Sequence, residues 1–559
     1  MSRIRLQRSA QEYLKMAEKF IEEERDDKAV YYLRRASTGV GNVMTKINAL
    51  GMLAYRYVVL GDIEMSDLAL YELLSLNPKS PQVYDMLMGN SFAKGDIDLF
   101  RFYLMEKTFL SGKPFYEELP DMILPVKSFI QPFFDSIKAE THRFSTKQTR
   151  VASSIGKALV SLNQGDYEQC LQELDKVQLN LTSLDTERIF LLVKAKCCYL
   201  MGKTSEISAM LDRAWAIEPN DIIIQSYVLL YTDKKYDDDF VEEFVELASE
   251  IEFVDSDLVA ELVRTLVQVG KLEDGLELVE SFLQYSPCSR NCLHLKGVIA
   301  YNLGDLYMAI QVFDKLNNLF GDYTNASCYL KVIRGIDQKT KIKMGEFEIE
   351  GLDEYFKTQL MKVQKVDDIM DGTHLDSDVE DGISWLLNTC IYDAQVMSKL
   401  EEIASLGNKK FTEFLVRRLL FGGTFLAPIK QVIIYILMRY GNLKSLNLVD
   451  GGKFRNVEIR YPDCWRSDGV DEVGKIAYSR AVGYAVAKCQ TYDTKSLADA
   501  CDKINAKILQ NGVIIEESNM YTRLILESAQ DSNIHIDNTS PWLQVDMEEY
   551  NSLVQNLLI

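Results

Sequence analysis

Apolar positions along this chain follow the period of an α-helix over most of its length. Around Gly165 they recur at three- and four-residue steps on both sides, which predicts two helices joined at that glycine. The apolar residues of this pair are Leu159, Leu162, Tyr167, Cys170, Leu171 and Leu174. A second stripe consists of Leu306, Ile310, Phe313 and Leu316, with Ala309 and Val312 beside it. The pattern therefore predicts amphipathic helices that come in pairs.

A turn of glycine, then Asp or Lys, then an apolar residue recurs through the first half of the chain. Such turns begin at Gly61, Gly95, Gly165, Gly270 and Gly304, with a weaker version at Gly202. Gly61 and Gly95 are 34 residues apart, and so are Gly270 and Gly304. Glycine ends a helix well because it takes the left-handed conformation without a Cβ clash. The spacing predicts a repeat of two helices joined by a glycine turn.

Two further signals keep a fixed distance from these glycines. Proline follows the glycine by 17 residues at Pro78, Pro219 and Pro287, where it stops the second helix because it lacks the N–H that a continuing helix needs. Small residues such as Gly297 and Ala309 stand where paired helices cross. This pattern resembles the tetratricopeptide repeat (TPR) family over roughly residues 10–335, most clearly over 46–112 and 255–321. The resemblance implies an all-α fold, an α-α superhelix built as a TPR-like solenoid.

The segment 113–145 interrupts the repeat. It contains Pro114, Pro120, Pro125 and Pro132, which exclude long uninterrupted helices. We interpret it as a degenerate repeat or an inserted loop packed by its aromatic residues. A hinge, or a lid over the groove of the solenoid, is the alternative.

The repeat period is lost after about residue 335, and the rest of the chain divides into two parts. Residues 336–382 become acidic and fail the calcium-loop pattern, because Asp381 stands where an EF-hand needs glycine. We interpret them as a solvated linker.

Residues 383–559 read as a C-terminal helical domain with candidate helices at 383–405, 409–421, 426–440, 472–489 and 495–510, and a last helix from Pro541. Alternating residues on both sides of Asp450-Gly451-Gly452 predict one β-hairpin near 444–460, with Leu446 and Leu448 facing Val457 and Ile459.

Charge and composition narrow the class of partner. The chain has 559 residues, of which 47% are hydrophobic, and carries 83 acidic against 62 basic residues, a formal net charge of −21. Such a surface repels phosphate backbones, so we expect no nucleic acid partner, and it favours basic ones. The most apolar window, APIKQVIIYILM, contains Lys430 and is too short to span a bilayer. Ten cysteines without a CxxC pair are typical of a reducing compartment. We expect a cytoplasmic protein with no membrane partner.

Catalytic and metal-binding motifs are absent from the sequence. It has 4 histidines and no HExxH, GxSxG or Walker-type motif. Cys288, Cys292 and His294 lie close together, but their spacing is not that of paired zinc ligands, so we expect ordinary packing. The sequence thus predicts no metal, no cofactor and no enzyme.

The resemblance also implies where a partner would bind, because the first helix of each TPR repeat lines the concave face. The residues of this chain at groove positions of the family include Tyr55, Phe92, Lys196, Tyr199, Arg264 and Tyr301. Aromatic side chains suit the docking of a peptide or helix. The alternative is that several of these tyrosines pack between neighbouring repeats. Gly51 and Asp85 stand where a lysine/asparagine clamp for a C-terminal carboxylate would lie, so the sequence does not support such a clamp.

These observations favour a protein-interaction scaffold or adaptor that binds a protein or peptide segment in the groove. A regulatory sensor that responds to a peptide is the alternative. An enzyme housed after residue 383 is a third class, which no motif supports. A DNA-binding regulator is disfavoured because no basic helix-turn-helix precedes the repeats.

Overall fold

The computed structural model shows an all-α chain apart from a single hairpin among the residues it describes. These are residues 8–94, 96–112, 154–159, 161–162, 167–177, 184–232, 238–250, 256–321, 324–335, 357–358, 360–361, 382–385, 394–405, 409–420, 427–441, 443–466, 471–488, 490–529, 534, 536, 540 and 542–557. The chain divides into two compact units, Met1–Tyr355 and Phe356–Ile559. The predicted fold class, a TPR-like solenoid followed by a helical region with one β-hairpin, is confirmed.

The first unit consists of helices joined in successive hairpins. Its helices are α1 (Ala10–Glu22), α2 (Asp26–Thr38), α3 (Val43–Val59), α4 (Ile63–Leu76), α5 (Pro81–Ala93), α6 (Ile97–Ser111), α7 (Tyr167–Asp175), α8 (Leu184–Leu200), α9 (Ile207–Ile217), α10 (Ile222–Tyr231), α11 (Asp238–Ser249), α12 (Ser256–Gln268), α13 (Leu272–Tyr285), α14 (Arg290–Asn302), α15 (Leu306–Phe320) and α16 (Ala326–Gly335). Neighbouring helices pack together, and their apolar stripes form core clusters, of which one covers residues 155–228 and another residues 229–299.

The turn glycines have the conformation that the sequence predicts. Gly61, Gly202, Gly270 and Gly304 have φ of +81°, +70°, +84° and +84°. The residue after each glycine donates its N–H to a carbonyl five residues earlier, as in Asp305 N–H to the carbonyl of Ala300 at 3.0 Å. Gly95 and Gly165 lie outside the described residues.

The aspartate after the glycine has its own role. Asp62 and Asp305 each accept a hydrogen bond from the backbone N–H three residues on, and so cap α4 and α15. In the first hairpin, which lacks a glycine, Glu24 takes the left-handed conformation with φ of +55°. The Gly-Asp dipeptide of this chain is therefore a helix stop followed directly by a helix start.

The proline and small-residue signals correspond to helix ends and crossings. Helices α4, α9 and α13 end at Leu76, Ile217 and Tyr285, each two residues before the predicted proline. A Cβ atom on Gly297 would come within 2.8 Å of the Phe313 ring, so α14 and α15 cross at a distance that only glycine permits. The 34-residue pattern thus marks both ends of the second helix and its contact with the first.

The second unit combines helices with the hairpin. Its elements are α17 (Ala394–Ser405), α18 (Lys409–Arg418), α19 (Ala427–Tyr440), β1 (Ser445–Asp450), β2 (Lys453–Glu458), α20 (Asp463–Arg466), α21 (Glu472–Ala487), α22 (Lys495–Asn511), α23 (Ser518–Ser528) and α24 (Met547–Leu557). The backbone of β1 is tied to two helical segments, since Val449 N–H donates to the carbonyl of Leu419 at 3.0 Å and Lys430 Nζ donates to the carbonyl of Val449 at 3.0 Å.

The hairpin register agrees with the expectation at one pair and differs at the other. Leu446 faces Val457, as predicted, but Leu448 faces Arg455 rather than Ile459. The reason is the two-residue turn: Gly451 and Gly452 both have positive φ, which pairs Asp450 with Lys453 and fixes every later partner.

Other boundaries shift, and some predictions fall outside the described residues. The last helix begins at Met547 rather than Pro541, and the predicted helix 383–405 is described as helical at 382–385 and again in α17. The division between the two units falls inside the segment predicted as a linker, 336–382, within which Leu360 is buried. The proline-rich segment 113–145 and the acidic run near Asp376 lie outside the described residues.

Candidate functional site

An open groove of about 460 Å³ lies along the first helices of three successive hairpins, α1, α3 and α5. These are the helices that the resemblance assigns to the concave face. The residues that line the groove are mostly apolar, with two amides, one serine and one carboxylate: Leu14, Glu18, Ile47, Asn48, Gly51, Met52, Leu70, Leu73, Ser80, Gln82, Val83 and Met86. Apolar walls with a few polar groups are the usual composition of a binding pocket.

Gly51 leaves the middle of this groove open. A Cβ atom built on it would meet only the tip of Leu73, at 4.0 Å, so no side chain fills the space between α3 and α4 at this point. Met52 and Met86 also line the groove, and methionine side chains adapt to the shape of a bound group. Glu18 is exposed and supplies a negative charge to the lining. The groove can therefore accept an apolar side chain with a cation beside it.

Two predicted groove residues are exposed on α3 and α5 but do not line this cavity. Tyr55 is 59% exposed, about one turn after Gly51 on the same helix. Phe92 is 45% exposed and contacts Phe100, with ring centroids 6.3 Å apart. The cavity thus lies nearer the start of these helices than Tyr55 and Phe92 do.

Three other predicted residues meet around one carboxylate that the sequence did not single out. Lys196 Nζ lies 3.1 Å from Glu261 Oε2, and an Arg264 nitrogen lies 3.9 Å from the same oxygen. Tyr231 donates its hydroxyl to Glu261 Oε1 at 3.0 Å. Tyr199 is 41% exposed and stacks on Tyr231 with ring centroids 4.3 Å apart. The helices α8, α10 and α12 therefore present one charged and aromatic cluster, which we call the Glu261 cluster.

Electrostatics in the Glu261 cluster favour neutral tyrosines beside a paired carboxylate. Burial, and after it the charge of Glu261, raises the pKa of both Tyr227 and Tyr231 well above the usual range. Lys196 also lies over the Tyr227 ring, 5.6 Å from its centroid. The Glu261 cluster thus contains two cations, Lys196 and Arg264, beside its one paired carboxylate.

Tyr301 packs inside the fold instead of facing a groove, which is the alternative that the sequence left open for these tyrosines. It is 7% exposed, and Val298 on the same helix is buried as well, so this part of α14 packs against its neighbours. Burial raises the pKa of Tyr301. Of the six predicted groove residues, five are at least partly accessible and Tyr301 is not.

Sequence reasoning missed the residues that shape the cavity and the carboxylate that organises the cluster. Met52 and Met86 belong to no motif, and Gly51 stood out only as the residue in place of a carboxylate clamp. Glu261 stands three residues before Arg264 on α12, a spacing at which two side chains of one helix meet.

The cysteines and histidine that lie close in sequence at 288–294 are part of the packing. His294 stands edge-on to Phe313 and Tyr329, with centroid distances of 6.0 and 5.2 Å. Among the described residues there is no group of three His, Cys, Asp or Glu side chains that could hold a metal ion. Burial, and after it the charge of Arg264, lowers the pKa of His294 to about 4.

This pKa predicts an acid-sensitive stability that belongs to one side chain. Unfolding restores the usual value near 6.5, so the unfolded chain binds a proton between pH 6.5 and 4 that the folded chain does not. Stability is therefore full above pH 6.5 and falls, by at most about 3 kcal/mol, as the pH drops to 4. In urea unfolding measured across this range, His294→Gln should flatten the curve relative to wild type. Parallel curves for the two proteins would contradict the prediction.

Comparison with known proteins gives structural likeness without a family. No protein-family model matches the sequence, and no curated protein matches it. Among solved structures, the chain is similar to the TPR domain of P58(IPK), with 12% identity over 59% of this chain and 99% of that one and a TM-score of 0.20. It is similar to Acl4, an assembly chaperone of RpL4, with 17% identity over 53% and 98% of the chains and a TM-score of 0.18. It is also similar to a chain in the structure of Naa15/Naa10 bound to HypK-THB, with 12% identity over 98% and 97% and a TM-score of 0.17.

None of the helices within the described part of the chain combines the length and the apolar character needed to cross a bilayer.

Proposed function

We propose that this protein is an interaction scaffold that binds a segment of another protein along the first helices of its repeats. The observation that carries the proposal is the apolar groove over α1, α3 and α5, which stays open because position 51 has no side chain. The surrounding helices bury many apolar residues, such as Leu50 and Leu87, yet they leave this cavity unfilled. An unfilled apolar groove on a rigid helical scaffold suits a guest side chain.

The lining indicates the chemistry of the guest. Leu14, Val83 and Met86 would surround an aliphatic or aromatic side chain, and the Asn48 and Gln82 amides could bond to the backbone of the guest. Glu18 favours a Lys or Arg near that side chain. The formal net charge of −21 also attracts a basic partner from a distance. We therefore propose a guest segment with one large apolar residue followed or preceded by a basic one.

The Glu261 cluster supplies a second surface on the same kind of helix face. Tyr199 offers an exposed ring, and Lys196 and Arg264 offer donors that already hold a carboxylate in place. Such a surface suits an acidic or aromatic part of the partner. We assign no catalytic step to the chain. We also propose a cytoplasmic location, because ten scattered cysteines without a CxxC pair are typical of a reducing compartment.

Filling the groove from within tests this proposal. In Gly51→Leu, an aliphatic side chain would occupy the cavity without backbone strain, because this helical glycine has no close neighbour. Capture of protein partners on the full chain should fall at least about tenfold, equivalent to about 1.4 kcal/mol. The variant should retain its helical circular dichroism and unfold no earlier than wild type, since leucine favours helices more than glycine does.

A matched control separates groove filling from a general effect of leucine. Gly156 is an exposed helical glycine with no atom within 4 Å of its Cβ position, and it does not line the groove. Gly156→Leu should capture partners like wild type. If Gly51→Leu also keeps all partners, the groove is not the binding surface; the double variant Tyr55→Ala and Phe92→Ala then tests the outer part of the same face.

A further inference from the structure

The segment that precedes α1 joins the fold close to the groove over α1, α3 and α5. Arg8 and Ser9 are described, and α1 starts directly after them at Ala10. Leu14 and Glu18, which line the groove, follow within about two turns of the same helix. Residues 1–7, which lie outside the described residues, are therefore attached within reach of this cavity.

This segment has the chemistry that the lining of the groove favours. Its sequence, MSRIRLQR, contains three arginines and no Asp or Glu, although the whole chain has 83 acidic residues. Arginine alternates in it with aliphatic side chains at Arg3, Ile4, Arg5 and Leu6. An aliphatic side chain beside a cation is the guest that apolar walls with one exposed carboxylate favour.

The segment is also long enough to enter the groove. Ser9 caps α1 and has extended backbone, with φ of −69° and ψ of 158°. From Ser9, the two α1 residues of the lining are about 8 and 14 Å away along the helix axis. Because an extended chain spans about 3.4 Å per residue, Ile4 reaches up to about 17 Å from Ser9. The reach of Ile4 therefore covers both of these distances.

Exposed apolar side chains lead from the start of α1 towards the groove. Ala10 N–H donates to the carbonyl of Val40 at 3.0 Å, which places the start of α1 beside the turn between α2 and α3. Val40 is 77% exposed, and Val43 and Met44 at the start of α3 are 54% and 63% exposed. One turn further along α3, Ile47 already lines the groove. The surface between the segment and the cavity is therefore apolar and exposed.

We propose that residues 3–6 bind in the groove of their own chain, with Ile4 in the cavity beside Gly51 and Arg3 next to Glu18. Side chains of an extended segment alternate in direction, so Ile4 and Leu6 face the protein together while the arginines lie at the rim. This inference rests on the proposed function, because it assigns an occupant to the same groove. A partner must then displace the segment before it binds.

Attachment to the chain makes weak binding sufficient. A segment on a short linker has an effective concentration of about 1 mM at its site. A groove that binds the free segment with a Kd of about 0.1 mM is then about 90% occupied in the intact chain. A partner that needs the groove binds about tenfold more weakly than it does to a vacant groove. The segment therefore excludes weak guests and admits strong ones.

Fluorescence anisotropy with a labelled peptide of residues 1–8 tests the proposal. The receptor is the full chain carrying Ile4→Ser and Leu6→Ser, which we call the vacated chain because it has no aliphatic side chain of its own to place in the groove. The peptide should bind the vacated chain saturably and the wild-type chain at least about tenfold more weakly. Equal binding to the two chains, or no saturable binding up to about 1 mM, would overturn the proposal.

Variants of the lining locate the bound peptide. Gly51→Leu in the vacated chain should weaken peptide binding at least about tenfold. Glu18→Gln should weaken it about twofold to fivefold, because the carboxylate is exposed to solvent. Arg3→Ala in the peptide should have the effect of Glu18→Gln and no further effect when the two changes are combined. Unchanged binding in Gly51→Leu would show that the peptide binds elsewhere and would refute the assignment.

Arg8 gives the matched control within the same peptide. Its Nη1 lies 2.8 Å from Met16 Sδ. Met16 lies on the opposite side of α1 from Leu14, because two residues advance a helix by about 200°. Arg8→Ala in the peptide should therefore bind like the wild-type peptide, whereas Arg3→Ala should not. Equal losses for Arg3→Ala and Arg8→Ala would mean that only the net charge of the peptide matters, which contradicts the assignment of Arg3 to Glu18.

Partner capture separates failure of this inference from failure of the groove itself. The vacated chain should capture partners about tenfold better than wild type. If Gly51→Leu lowers partner capture but the peptide of residues 1–8 does not bind, the groove binds other proteins and this segment is not its occupant. Sedimentation velocity tests a second copy as the source of the segment. A wild-type dimer that the vacated chain does not form would contradict binding within one chain.

Discussion

Replacement of Gly483 by alanine should destabilise the second unit by about 2 kcal/mol. Gly483 lies on α21 where this helix crosses α19, and a Cβ atom there would lie 2.7 Å from the carbonyl oxygen of Gln431. The Trp542 ring is also close, at 3.2 Å from the same position. A backbone oxygen cannot rotate away as a side chain can. The two helices must therefore move apart, and this loss exceeds the roughly 1 kcal/mol that alanine gains over glycine in a helix.

Tryptophan fluorescence during urea unfolding measures this effect, since Trp385, Trp465 and Trp542 lie in the second unit. The matched control is Gly89→Ala on α5, where no atom lies within 4 Å of the Cβ position. Gly89→Ala should stabilise its helix by up to about 1 kcal/mol. Unfolding followed by circular dichroism measures this change. The two variants should therefore change the free energy of unfolding in opposite directions. Stabilisation by Gly483→Ala would show that α19 and α21 are not as close as described.

Asp67→Ala should cost about 2 kcal/mol of the stability of the first unit. Asp67 is buried on α4, where its Oδ1 accepts a hydrogen bond from Asn90 Nδ2 at 2.7 Å and its carboxylate pairs with Lys94. The same amide also donates to Ser66 Oγ at 2.9 Å. Burial raises the pKa of Asp67, and Lys94 opposes this by favouring the charged form. Removal of the carboxylate takes away one of the two acceptors of the buried Asn90 amide and the partner of Lys94, whose side chain is 32% exposed.

Two other variants, Asp67→Asn and Asp314→Ala, serve as controls for Asp67→Ala. Asp67→Asn keeps an acceptor for Asn90 but loses the charge, so its cost should lie between those of wild type and Asp67→Ala. Asp314 pairs with Arg334 at 2.6 Å where both side chains are about half exposed, and Asp314→Ala should cost less than about 1 kcal/mol. Chemical unfolding followed by circular dichroism measures all three. Similar losses for Asp67→Ala and Asp314→Ala would show that burial of the ion pair has little effect.

The repeat architecture could be predicted because its signals are local. A glycine with φ near +80° and a proline two residues beyond a helix end each act within one turn of chain. The hairpin was predictable for the same reason, and its register was half wrong because pairing depends on the turn conformation as well as on alternation. The turn glycines and the prolines recur at a constant spacing. The sequence alone therefore defines the order of the helices.

The groove and the hydrogen bonds from Arg34 and Tyr57 to the end of α15 depend on positions that are distant in sequence. The groove exists because three helices arrive beside Gly51, and a helical glycine in isolation indicates only lowered helix propensity. Arg34 and Tyr57 belong to no motif, and their acceptors are backbone carbonyls, which the sequence does not distinguish. Lys196, Tyr199 and Arg264 were found through the resemblance, but Glu261, which they surround, was not.

The separation of 262 residues between Tyr57 and Leu319 also has a consequence during synthesis. A ribosome that adds about 5–20 residues per second completes the end of α15 roughly 15–50 s after it has made Tyr57. The first hairpins fold from local contacts within a far shorter time. For most of translation the nascent chain therefore displays the Tyr57 ring and the Arg34 guanidinium uncovered, and chaperones at the tunnel exit would meet the protein in this state.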